Sequence, residues 1–119
     1  MDTSGMEKEI EKIYENTSPE IAPPSFSPQN FISAGISCFA LILLDSLGLA
    51  DLLKKQGYLK SKDLKSYNSL IIMTALKQLF KSKILFLDED QIKFTDFGKD
   101  LLEYRGIMHI IYGGYPHVL

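Results

Sequence analysis

The sequence predicts a mainly α domain carrying one small β-hairpin. Three observations lead there. Apolar residues recur at helical spacing through most of the 119-residue chain. Residues 84–96 instead show two short apolar runs around an acidic turn, the pattern of a hairpin. An apolar share of 45% beside 24% charged residues is ordinary for a globular protein and excludes disorder throughout.

Residues 1–16 place Met6, Ile10, Ile13 and Tyr14 on one helical face, with Ser4 as candidate N-cap. Residues 17–28 read as a Pro-rich extended arm: the stretch "TSPEIAPPSFSPQN" holds four of the five prolines, and proline lacks the N–H a helix needs. Residues 31–47 are apolar nearly all round, and such a helix must be covered on every face. A domain this small has too few other elements to do so, which points to an oligomer. Gly48 breaks that helix, "LADLLKKQ" adds a short one, and Gly57 closes it. Asn68 or Ser69 caps the next helix, whose Ile72, Ala75, Leu76, Leu79 and Phe80 face inward and whose Thr74, Lys77, Gln78 and Lys81 face outward. After the hairpin, Thr95 or Asp96 caps a last helix that Gly106 ends or bends. Helix, helix, helix, hairpin, helix is the order of a winged-helix domain over residues 29–105.

Charge is lopsided behind a net value of −2. Residues 54–83 carry eight lysines against one acid, Asp63, whereas residues 84–105 carry six acids against three bases. The basic segment keeps a nucleic-acid reading alive, as a dimeric winged-helix transcription regulator. Against it stand the acids Asp88, Glu89 and Asp90 at the wing tip, which repel phosphate, and the lack of arginine in the basic segment. The single cysteine, Cys38, lies in an apolar run and reads as a buried small hydrophobe, with no disulfide framework. The polar, acidic N-terminus is unlike a secretory signal and the longest apolar run is too short to span a bilayer, so a cytoplasmic location is expected.

Three stretches resemble a known family: "LGLADLL" at 47–53, "ILFLDED" at 84–90 and "KFTDFGKDL" at 93–101. They look like the helix end, hairpin and strand-to-helix joint of the N-terminal winged-helix dimerisation domain of class I S-adenosylmethionine-dependent, O-methyltransferase-like methyltransferases. The resemblance covers residues 29–105. It implies that this domain dimerises through apolar helices, lends residues to the pocket of a small-molecule substrate, and leaves S-adenosylmethionine to a Rossmann-type partner domain or subunit. The chain shows no glycine-rich phosphate turn of its own, so no cofactor binding and no methyl transfer are expected from it alone.

Residues 106–119, "GIMHIIYGGYPHVL", then read as the start of a connection to the catalytic domain, or as a tail on which it docks. Tyr112, Gly113, Gly114 and Tyr115 are candidate substrate contacts, because glycine permits close approach and tyrosine offers a flat face with a polar tip. His109 and His117 are the only histidines and join that candidate set. With no carboxylate or cysteine near them in the sequence they do not make a metal site. No paired carboxylates or nucleophile constellation are found, so no catalytic residue is expected.

Overall fold

Residues 4–17 and 28–111, which the computed structural model describes, fold as α1 (Ser4–Asn16), α2 (Pro28–Ser46), α3 (Leu49–Gln56), α4 (Ser61–Leu64), α5 (Ser69–Lys81), β1 (Leu85–Asp88), β2 (Gln91–Phe94), α6 (Asp96–Leu102) and α7 (Arg105–Ile111). The architecture is mainly α with a small hairpin, as the periodicity predicts. Its centre is the crossing of α2 and α5. Leu41 and Leu44 from α2 meet Ile72, Leu76, Leu79 and Phe80 from α5, all with no solvent exposure. Each such side chain contributes roughly 1.5–3 kcal/mol by leaving water.

α1 belongs to this core. Its Ile10 is buried, and Tyr14 meets Phe80 edge to face with ring centroids 5.1 Å apart. Ser61 Oγ donates to Glu7 on the same helix at 3.2 Å. The apolar stripe read in residues 1–16 therefore packs against α5 rather than forming a unit of its own. α2 begins at Pro28, inside the stretch read as an extended arm. Proline suits that first position because its φ is already helical and the N–H it lacks has no helical partner there.

Gly48 breaks the chain between α2 and α3 as expected. It adopts φ 78°, and the helix direction turns by 77° between residues 34–46 and 49–56. Among the described residues no single helix is long and apolar enough to cross a membrane. Gly57 closes α3 at φ 87°, its N–H donating to the Leu53 carbonyl at 2.8 Å. Both residues sit where a side chain would be strained.

The sequence reading missed α4. Its four residues are too few for periodicity to show, and local hydrogen bonds build it. Asp63 Oδ2 accepts from the Lys60 N–H at 2.9 Å and from Gln56 Nε2 at 3.2 Å. Just before α4, Leu59 exchanges two 2.8 Å backbone hydrogen bonds with Ile92, adding a one-residue third strand to the hairpin. α3, this bridge, α4, α5 and the hairpin follow one another in the order expected of a winged helix. Asn68 caps α5, its Oδ1 accepting from the Ile71 N–H at 3.2 Å.

In the hairpin, Leu85 pairs with Phe94 and Asp88 with Gln91, leaving a turn of Glu89 and Asp90. Glu89 takes φ 56°, an uncommon value for a residue with a side chain. Thr95 then caps α6: its Oγ1 accepts from the Gly98 N–H at 2.9 Å and donates to the Lys83 carbonyl at 2.5 Å. Gly106 neither ends α6 nor marks the bend. α6 stops at Leu102, and Gly106 is the second residue of α7. The break falls earlier because the Glu103 and Tyr104 N–H groups tighten onto the carbonyls of Asp100 and Leu101, three residues back.

Candidate functional site

Among the described residues, exposed apolar side chains gather on α2 with α5 and on α7, and both faces follow from how the helices pack. The first lies along α2 and α5. The crossing buries Ala40, Leu41, Ile42 and Leu44 but turns Ile36 and Phe39 to solvent, 50% and 55% exposed. α5 adds Leu70 and Ile71 from its first turn, 75% and 50% exposed. Together they line an open groove of about 690 Å³, to which Lys77, Gln78 and Lys81 also contribute. Gln78 does not reach outward as its helical position implies, because its Nε2 donates to the buried Ser37 Oγ of α2 at 2.8 Å.

The second face belongs to α7. Met108 points inward and is buried. Arg105 and His109, one turn apart, reach the α2–α3 corner. Asp45 there, its side chain only 13% exposed, receives both: Arg105 at 3.2 Å on Oδ1 and His109 Nε2 at 2.6 Å on Oδ2. Arg105 also binds Asp51 at 2.7 Å. This hydrogen bond to Asp51, followed by the charges of Asp45 and Asp51, holds the guanidinium further above its ordinary pKa. The large apolar side chains that α7 turns outward among the described residues are Ile107 and Ile110, with Tyr104 preceding them in the chain, all more than half exposed.

Of the residues singled out in the sequence, His109 is therefore placed, against a carboxylate 64 positions away that sequence neighbours did not reveal. Tyr112, Gly113, Gly114, Tyr115 and His117 lie outside the described residues. Cys38 is half-buried, and burial pushes its thiol pKa up, which keeps it protonated and a poor nucleophile. Among the described residues no group of three or more potential metal ligands converges.

The wing is less repulsive to phosphate than its sequence implies. Asp88 is paired with Lys93 at 2.8 Å and Asp90 with Lys60 at 3.6 Å. The difficulty for DNA readout lies on α5 itself. The first turn of a recognition helix meets base edges, and here that turn presents Leu70 and Ile71. No protein-family model, curated protein or solved structure matches the chain.

Proposed function

We propose that the chain is the dimerisation and substrate-pocket domain, or an accessory subunit, of a S-adenosylmethionine-dependent small-molecule methyltransferase whose cofactor sits in a Rossmann-type partner domain or subunit. The observation that carries the assembly role is the exposed apolar surface: Ile36, Phe39, Leu70 and Ile71 in one groove, and Ile107 and Ile110 on another helix. Contiguous apolar faces of this kind are costly to leave in water and mark sites that another surface covers. A second copy covers the α2–α5 groove, pairing its apolar lining with the same lining of its own across a two-fold contact. The catalytic partner meets α7, from which the chain continues through Tyr112 and Tyr115. The methyltransferase part of the reading rests on the sequence resemblance. Its support is that Gly48, Thr95 and Gly98, all within the resembling stretches, make the corner and the joint that give the helices their places.

The test has two arms. Sedimentation should find a dimer for the unaltered chain and a monomer of unchanged helicity for Phe39→Glu combined with Leu70→Glu. Methyl transfer by a Rossmann-type subunit encoded beside this chain should depend on adding it. A monomeric unaltered chain, or transfer indifferent to it, overturns the proposal.

One observation favours a second reading, a dimeric winged-helix DNA-binding regulator: α4 and α5 form a helix-turn-helix with Lys77 and Lys81 exposed. That reading expects duplex binding that weakens steeply with salt and vanishes when both lysines are neutralised.

A further inference from the structure

A hollow of about 700 Å³ lies between the C-terminal end of α3, the hairpin and α6, and it shares no lining residue with the α2–α5 groove. Its size is that of a small-molecule site. Leu53, Phe94 and Leu102, all buried, and the half-buried Phe86 make its apolar wall. Phe86 and Lys93 are cross-strand partners and so present one aromatic ring and one cation on the same hairpin face.

Charge in this hollow runs against the rest of the molecule. Four cations line it, Lys54, Lys93, Lys99 and Arg105, against one acid, Glu103, on a chain whose net charge is −2. Lys93 and Arg105 are already engaged by Asp88 and by Asp45 with Asp51. The ammonium groups of Lys54 and Lys99 take part in no ion pair or hydrogen bond among the described residues. Two such cations lining a hollow with an apolar wall fit a ligand with a negative head and an apolar body. A bare inorganic anion would leave the apolar wall wet, and a neutral lipid or hydrocarbon would leave the lysines unused.

We propose that this hollow binds an amphipathic organic acid, its carboxylate held between Lys54 and Lys99 and its apolar chain or ring laid on Leu53, Phe86, Phe94 and Leu102. The site stands independently of the assembly proposed above. The experiment titrates octanoate, and separately 1-octanol, into the isotopically labelled full chain and follows backbone amide shifts. Octanoate is expected to move the amides of Lys54, Gly57, Lys99 and Leu102, and to bind about tenfold more tightly than the alcohol, the combined effect of two near-surface charge contacts. Lys54→Gln combined with Lys99→Gln should erase that preference while leaving alcohol binding and the amide dispersion of the fold intact. Phe39→Glu with Leu70→Glu, which tests assembly, should leave octanoate binding unchanged. Equal affinity for acid and alcohol, no binding, or shifts centred on Phe39 and Leu70 instead would each overturn the proposal.

Discussion

α6 and α7 are successive helices of seven residues each, yet they are attached to the protein by opposite means. α6 is joined through backbone. Its N-cap Thr95 bonds to three main-chain groups around it, and its Gly98 lies directly against the Ile84 carbonyl. α7 is held by side-chain ends: Arg105 and His109 on Asp45, Arg105 on Asp51, and one buried apolar residue with a described side chain, Met108. Close-packed backbone contacts tolerate little displacement, whereas polar contacts made by side chains more than a third exposed, as Arg105 and His109 are, re-form readily after opening. α6 is thus part of the frame, and α7 is a latch fastened to its surface.

The largest difference between the two helices is expected at Gly98. A Cβ there would overlap the Ile84 carbonyl oxygen, which also accepts the Thr95 N–H at 3.1 Å. Neither chain can retreat without loosening the hairpin. Gly98→Ala should therefore cost about 3 kcal/mol or more, at the upper end of overpacking effects, and lower the thermal midpoint by more than about 10 °C. Gly106→Ala on α7, where a Cβ meets nothing within 4 Å, should be neutral or stabilising. Calorimetry on the pair decides the point: similar midpoints for both would remove the distinction between joint and latch.

A smaller effect is expected at the latch. Asp45→Asn keeps the shape of the side chain but removes the charge that Arg105 and His109 share. Both partners are more than a third exposed, so solvent screening limits the loss to about 1 kcal/mol. That is enough to free α7 locally. Amide exchange at Met108, whose N–H bonds the Tyr104 carbonyl, should accelerate severalfold while exchange at Leu76 and Leu79 holds. Added salt should act on the unaltered chain in the same direction. Global exchange rising together with that of Met108 would show that α7 is frame after all.

How much of this was legible in the sequence differs between the same two helices. The frame was written locally: Thr95 three residues before Gly98, the glycine stops at Gly48 and Gly57, and the inward face of α5 are all patterns within one turn or one hairpin. The latch was not. Asp45 lies 60 residues from Arg105 and 64 from His109, and nothing in its neighbourhood marks an aspartate at the end of an apolar helix as a partner for either. Gly106 misled for a related reason. Glycine is a stop signal on average, but where its position requires no left-handed backbone it signals nothing, and α7 runs through it. The groove was visible only as a surplus: the sequence showed that residues 31–47 held more apolar surface than a small domain can hide. Which residues are left bare, Ile36 and Phe39 rather than Leu41 and Leu44, depends on the crossing of α2 with α5.

The smallest effect on stability is expected on the outer face of α7. Ile107 and Ile110 are 56% and 55% exposed, so replacing both with aspartate removes little buried surface. The change in folding stability should stay within about 0.5 kcal/mol, as for surface positions generally. Ile107 and Ile110 stand three residues apart on one face, while Arg105 and His109 occupy another, so the latch should also survive and Met108 exchange should be unchanged. If α7 is the element a catalytic partner covers, the same double substitution should abolish co-sedimentation with that partner while the proposed α2–α5 dimer persists. Loss of the dimer by Ile107→Asp with Ile110→Asp would instead place both apolar faces in one continuous interface. Partner binding that persists would assign α7 no role in assembly, because an interface cannot tolerate two buried carboxylates without a cation to meet them.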